Sequence, residues 1–257
     1  MSSAQPASVL ITGASGAIGS ALALHYARPG CQLYLHGRDT SRLAQVATAC
    51  EARGATVACH QLDLRDQVAL RAWLLAVEQQ GLPELIIANA GLNCHVAADG
   101  SGERWEEVEA LLEVNIRAVM VMVDQLLPGL RQRGHGQLAL VSSLAAWHGL
   151  PATPSYCASK AAIKAYAEAL RGGLADQGIR VNLIMPGYVD STMCHAMPGP
   201  KPIVWPADRA ARFIARGLAK DRARITFPYP LNHATWWLAM LPPSLSQWLI
   251  RLFGYRD

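Results

Sequence analysis

From Ser8 to Met185 the chain alternates between short apolar runs and longer stretches whose apolar residues recur at helical spacing. Several runs, such as LIIA at 85–88 and LALV at 138–141, are apolar throughout and do not alternate with polar residues. A strand covered on one face alternates; a strand covered on both does not, and parallel strands joined by crossover helices are covered on both. The pattern predicts a parallel sheet between two layers of helix. Strands are expected at Ser8–Thr12, Gln32–His36, Ala55–His60, Glu84–Ala88, Gln137–Ser142, Ile179–Met185 and Arg224–Phe227. Between them lie helical patterns at Ala17–Ala27, Thr40–Arg53, Asp66–Gln80, Glu103–Arg133, Pro154–Gln177 and Ala207–Lys220, several closed by Gly or Pro-Gly. The longest is expected to break near Pro128-Gly129.

With 51% apolar and 16% charged residues in 257, the chain has ample material for a core. No repeat or low-complexity linker interrupts it, so residues 1–257 are read as one domain. The 23 basic and 19 acidic residues are interspersed, which does not imply a nucleic-acid partner. Six cysteines stand far apart with no C-x-x-C and no Cys/His ligand spacing, so neither a zinc site nor a disulfide framework is expected. The start, MSSAQPASVL, lacks the basic and apolar regions of a signal peptide, and a cytoplasmic location is the expectation.

Between Ile225 and Ile250 there is no Asp, Glu, Lys or Arg, but Pro228, Pro230, Pro242 and Pro243 cut the stretch. Residues 228–257 therefore read as an apolar, Trp-rich extension made of helices packed on the domain or on another subunit. Peripheral contact with a membrane through Trp236, Trp237 and Trp248 is the other reading.

Three sites carry chemistry. TGASGAIG, Thr12–Gly19, connects a strand to a helix, where backbone N–H groups can meet a pyrophosphate and glycine permits close approach. A tight strand-to-helix connection without a ligand looks similar. At the end of the next strand, His36-Gly37-Arg38, an acid would hold a ribose 2′-hydroxyl, whereas an Arg accepts a 2′-phosphate. Gly37 stands at the acid's place and Arg38 follows, which favours NADP(H) over NAD(H). Asp39 could instead pair with Arg38 or take the ribose contact, and Arg38 could be an ordinary surface residue. Third, Tyr156 and Lys160 are four apart and share one helical face. A nearby ammonium favours the phenolate and lowers a pKa that is otherwise about 10. Ser143, just beyond a strand, lies at the carboxyl edge where open α/β sheets bind ligands. Its flanks, VSSLAA, are not those of a nucleophilic serine.

In combination, TGASGAIG, Asn89-Ala90-Gly91, Asn115, Ser143 with YCASK, and Pro186-Gly187 make the chain resemble the short-chain dehydrogenase/reductase family over about residues 8–192. The resemblance implies an α/β, doubly wound Rossmann fold with a mostly parallel seven-stranded sheet and helices on both faces. It implies an oxidoreductase that interconverts a ketone or aldehyde with an alcohol, using NADP(H) or NAD(H). Gly13, Ser15, Ile18 and Gly19 would line the pyrophosphate, Asp63 and Leu64 the adenine, and Asn89, Ala90 and Gly91 the adenosine ribose side. Pro186, Gly187, Val189 and Ser191 would lie along the nicotinamide amide. Tyr156 would be the general acid/base, Lys160 would lower its pKa and hold the nicotinamide ribose, Ser143 would bond the substrate oxygen, and Asn115 would anchor a proton-relaying water.

The chain departs from the family at Ala17, where the second glycine of the turn is usual, and at Ser191, where Thr is usual. Nothing transfers beyond about Pro228. Residues 187–206 are expected to cover a substrate pocket, and Met193, Met197, Ile203, Val204 and Trp205 hint at an apolar small-molecule substrate, or equally at a lid packed on its own domain. His95 and His148 are expected as pocket-wall or surface residues. The Ala-rich face of the helix after Tyr156 (Ala161, Ala162, Ala165, Ala169) suits close packing, and the family's habit of associating there implies a homodimer or homotetramer. A regulator that binds NADP without catalysis is the reading from another class, and a peripheral membrane reductase of a lipid-like carbonyl is the third.

Overall fold

The computed structural model describes residues 5–97 and 99–255. Seven strands form one sheet: β1 (Ser8–Ile11), β2 (Gln32–His36), β3 (Thr56–His60), β4 (Leu85–Ala88), β5 (Gly136–Val141), β6 (Ile179–Pro186) and β7 (Arg224–Phe227). Their order is β3-β2-β1-β4-β5-β6-β7, and every pairing is parallel. The chain thus winds outward from β1 in one direction and from β4 in the other. The carboxyl ends of β1 and β4 flank the point where the winding reverses, the place where such sheets bind ligands.

Helices cover both faces, as the unbroken apolar strands require. On one face lie α1 (Ala17–Tyr26), α2 (Thr40–Glu51) and α8 (Ala207–Ala219), packed on Val9, Ile11, Leu33, Leu35, Ile87 and Ile184. On the other lie α3 (Gln67–Gly81), α5 (Ala118–Arg133) and α6 (Pro154–Leu174), packed on Leu10, Ile86, Leu138, Leu140, Val181 and Leu183. Neighbouring strand residues feed opposite cores, so the central strands are apolar on both faces, β4 at all four of its positions. Local chemistry sets the helix starts. The Asp39 carboxylate accepts the Arg42 amide at 3.0 Å, and Asp66 accepts the amides of Val68 and Ala69 at 3.1 and 3.0 Å.

The long helix of the sequence reading is α4 (Trp105–Leu112), a π-helical turn (Glu113–Arg117) and α5 in succession. It does not break at Pro128, which lies inside α5 on its exposed side. Leu126 and Leu130, fully buried on either side of Pro128, hold the helix to the core, and it ends at Gly134 with φ of +74°. The irregularity comes earlier, at the π turn, and that turn carries Asn115.

Beyond β6 the chain is less loop-like than expected. Residues 187–206 include a short helix, α7 (Thr192–Ala196), and a bridge between Val189 and Trp205. Trp205 does not face a pocket: it is buried under α8, stacked on Phe227 at 5.1 Å between ring centroids, with the Arg209 guanidinium over its ring. Two helices complete the chain, α9 (Leu231–Met240) and α10 (Pro243–Leu252). Among the described residues no helix is long and apolar enough to cross a membrane. Even so, α9 has no buried residue, and Trp237, Met240, Trp248 and Leu252 are exposed.

Candidate active site

The carboxyl ends of β1, β2, β4, β5 and β6 open into one cleft of about 1240 Å³. A pocket for one drug-sized ligand is about 300–1,000 Å³, so the cleft suits an elongated ligand with a second molecule beside it. At one end stand Gly13, Ser15, Ile18, Arg38, Asp63 and Leu64; in the middle Asn89–Gly91; at the other Ser143, Tyr156, Lys160, Pro186, Gly187, Val189 and Ser191. Gly19 and Asn115 stand behind the wall and shape it.

The glycine turn is built by contact with the β4 loop. Gly13 has φ of +67°, and a Cβ there would lie 2.9 Å from the Ala90 Cα. A Cβ at Gly19 would overlap the Gly13 carbonyl oxygen. Both positions therefore exclude a side chain. Ala17, the departure from the family pattern, is the first residue of α1 and lines the cleft. Gly16 caps α1 with no side-chain bond, so the first-turn amides are left for a ligand at the positive end of the helix dipole.

Two residues that sequence reasoning did not single out lock this turn. Thr12, buried, accepts the amides of Asn89 and Ala90 on its Oγ1 at 3.0 and 3.1 Å. In return Asn89 Nδ2 donates to the Thr12 and Gly13 carbonyls at 3.0 and 3.3 Å. His36, also buried, contacts the Leu62 carbonyl through Nε2 at 3.1 Å and accepts the Gly13 amide on Nδ1 at 3.4 Å. Those partners assign the neutral Nε2–H tautomer, and burial, its largest influence, lowers the ring's pKa in the same sense. Thr12 sits in the motif and was legible by position. Nothing around His36 signals that it ties the ends of β1, β2 and β3 together.

The end of β2 explains why no acid stands there. A Cβ at Gly37 would lie 2.7 Å from Ser15 Oγ and 3.1 Å from Ser15 Cβ. Asp39 is engaged with Arg42, through its amide and a 3.4 Å ion pair, and not with Arg38. Arg65 holds the Asp63 carboxylate with two nitrogens, at 2.8 and 2.5 Å, and these bonds lower the Asp63 pKa. Arg38 is left exposed, with no ion pair among the described residues.

At the other end α6 presents Tyr156 and Lys160 on its buried face, as the four-residue spacing requires. Its start is anchored by Glu103, whose carboxylate accepts the Ser155 amide at 3.1 Å and the Ser155 hydroxyl. A negative group suits a helix N-terminus. The Ser142 hydroxyl donates to the Lys160 carbonyl at 2.7 Å, tying α6 to β5. Asn115, on the π turn, accepts the Leu92 amide at 2.8 Å and donates to the Leu92 carbonyl at 2.9 Å and to Ser159 Oγ at 3.0 Å. The additional residue of a π turn re-aims a side chain in this way. Ser143 Oγ accepts the Ala145 amide at 3.1 Å and lies 3.4 Å from the Pro186 carbonyl.

The electrostatics differ from the simplest expectation. Lys160 Nζ donates to the Val141 carbonyl at 3.2 Å and lies 5.7 Å from the centre of the Tyr156 ring. Burial dominates both groups. It pushes the Tyr156 phenol up to about 12, against the Ser143 hydroxyl, which pulls it down, and it lowers Lys160 to about 8. At neutral pH the pair is therefore a phenol and an ammonium. His148 lines the cleft with both ring nitrogens engaged, by the Gly149 carbonyl at 2.8 Å and Ser246 Oγ at 2.9 Å; His95 is not on the wall. No cluster of three metal-ligating side chains occurs among the described residues.

A family profile described as short chain dehydrogenase matches residues 7–199. An uncharacterized oxidoreductase of Myxococcus xanthus is 33% identical over 240 residues, which is 92% of this chain and 93% of that protein. A ketoacyl reductase of a Nostoc species is 29% identical over 185 residues, 72% of this chain and 64% of that one. Among solved structures, a short-chain dehydrogenase from Sphingobium yanoikuyae in complex with NADPH matches with a TM-score of 0.80 at 25% identity, covering 95% of each chain.

Proposed function

The chain belongs to the short-chain dehydrogenase family, and from that premise we propose that it is an NADP(H)-dependent reductase of ketones or aldehydes, with Tyr156 as the proton donor. The observation that carries the proposal is the convergence of Ser143, Tyr156 and Lys160 at the end of a cleft whose other end is a glycine turn and an unpaired arginine. The residues fit a dinucleotide: positions 13 and 19 exclude a Cβ, the first-turn amides of α1 are uncapped, and Arg38 is free for a 2′-phosphate. The bound nicotinamide supplies the hydride.

The chain's own residues supply orientation and the proton. The buried phenol is in the protonated form that a donor to a developing alkoxide needs. Ser143 Oγ, whose bond to the Pro186 carbonyl is long, is free to donate to the same oxygen. The Lys160 ammonium stabilises the phenolate left behind. Asn115 holds the loop that forms the floor beside Lys160: a Cβ at Gly91 would stand 3.3 Å from both Asn115 Oδ1 and Lys160 Nζ. Its anchoring of a relay water belongs to this proposal. A relative named as a ketoacyl reductase supports a carbonyl substrate, and a structural neighbour bound to NADPH supports the cofactor.

NADPH oxidation with a carbonyl panel tests the reading. Tyr156→Phe should lower turnover at least about a thousandfold, the scale of general acid catalysis with its associated positioning, with the Kd for NADPH within about twofold. Retained turnover in the variant overturns it. No turnover of any carbonyl by the parent protein, with tight NADPH binding, instead supports the non-catalytic binding protein.

Two association readings accompany the proposal. Ala161, Ala165 and Ala169 on α6 are exposed small side chains unused within the protomer, which supports a homodimer or homotetramer; a monomer in sedimentation equilibrium refutes it. The exposed Trp237 and Trp248 beside Met240 and Leu252 support contact with a lipid surface; failure to float with liposomes refutes that.

A further inference from the structure

The cleft is chemically two-sided. Around the glycine turn its wall carries Arg38, Asp39, Arg42 and Asp63. Beyond Tyr156 the wall is formed by Met193 and Met197 from the α7 region, Leu231 and Leu238 from α9, and Ile250 and Phe253 at α10. Among the described residues lining that half, Lys160 is the single charge, and it is buried against the Val141 carbonyl. A further cation, Lys201, stands between the lining residues Pro200 and Pro202 but is not itself on the wall, and its Nζ donates to the Gly199 carbonyl at 3.4 Å.

Most other polar groups of this half are engaged by the protein itself. The Tyr188 and Tyr255 hydroxyls bond each other at 3.0 Å. His148 bonds Ser246 on α10. Thr235 Oγ1 turns back to the Leu231 carbonyl at 3.0 Å, and Ser191 Oγ is held between the Cys194 amide and the Val189 carbonyl. The first two bonds tie α10 and the residue Tyr255 beyond it to the far side of the cleft, the others are local, and together they leave few groups to read a ligand. Ser143 and Tyr156 remain, at one end. Met193 and Phe253, meanwhile, stay 39% and 68% exposed at the wall.

We infer that the substrate is a neutral carbonyl compound carrying an extended apolar group, read by one oxygen at Ser143 and Tyr156 and bound along its length by α9, α10 and the two methionines. This rests on the reductase reading above and specifies its substrate class. Each methylene buried on such a wall is worth ~0.8 kcal/mol, about fourfold in kcat/KM.

The test is a series of methyl ketones from 2-butanone to 2-decanone with NADPH. The expected result is a rise of about fourfold per carbon over the first several carbons, with charged oxo-acids of equal length poorer by at least tenfold. Leu238→Ser and Phe253→Ser, both at partly open positions, should flatten the series to under twofold per carbon. A flat series in the parent protein, or preference for the oxo-acids, overturns the inference and leaves the reductase reading standing. Calorimetric binding of 2-decanol against 2-butanol to the NADPH-saturated protein reads the same wall without turnover. Tight decanol binding with no ketone reduced upholds the wall and sinks the reductase reading; equal, weak binding of both alcohols overturns the wall.

Discussion

Replacing Arg38 by alanine isolates the question of which cofactor the cleft prefers. Each neighbouring carboxylate is already engaged, Asp39 by Arg42 and Asp63 by Arg65. Gly37 cannot carry an acid without displacing Ser15. The Arg38 guanidinium is thus available to a 2′-phosphate, with no ion pair among the described residues to break first. A hydrogen bond to a charged group contributes about 1.5–3 kcal/mol, or roughly 10- to 150-fold in affinity. Arg38 is exposed, and ionic screening brings the expectation to the lower part of that range. The Kd for NADPH should therefore rise about 10- to 50-fold in Arg38→Ala, with NADH changed less than about twofold. Quenching of intrinsic Trp fluorescence by each cofactor, at low and at moderate salt, measures both, and the NADPH effect should shrink with salt. Equal losses for the two cofactors would refute the reasoning, since the side chain would then serve the turn and not the phosphate. An unchanged NADPH affinity would refute it as well.

Other outcomes follow from the same contacts. Thr12→Val keeps the shape but leaves the Asn89 and Ala90 amides without their acceptor; at ~1–2 kcal/mol each, the urea midpoint should fall by the equivalent of about 2–4 kcal/mol, and a loss under about 0.5 kcal/mol would show that water replaces the hydroxyl. Carbonyl reduction should decline as pH rises through about 8, because Lys160 loses its charge there while Tyr156, at about 12, stays protonated; a kcat/KM profile level to pH 10 would remove Lys160 from the proton step. Glu103→Gln weakens the anchor at the start of α6, so kcat should fall severalfold with the Kd for NADPH unchanged, and equal loss of both would indicate general destabilisation.

Much of this protein is local in origin and so legible from residue order. Apolar runs such as LIIA and LALV can be buried on both faces only in a sheet flanked by two helical layers, and all seven strands lie within a residue or two of where the runs place them. The four-residue spacing of Tyr156 and Lys160, and glycines at 13 and 19, carry their geometry in the backbone itself. What the sequence could not decide depends on partners distant along the chain. Pro128 stays within its helix because Leu126 and Leu130 are held by the core, a tertiary force stronger than a local preference. Trp205 reads as a pocket residue until Phe213 and Phe227 are seen around it. The spacing of Tyr156 and Lys160 predicts a lowered phenol pKa, yet burial, which no spacing encodes, dominates the pair. His36 and Thr12 act only through loops that folding brings beside them, and the C-terminal end lines the cleft with Tyr255 bonded to Tyr188 and Ser246 of α10 bonded to His148. Residue order alone determined the elements and the chemical groups on them, because backbone geometry is set by near neighbours. Charge state, the packing of bulky side chains and the shape of the cleft beyond Tyr156 were left to the tertiary structure, because desolvation and packing depend on residues that are adjacent only once the chain has folded.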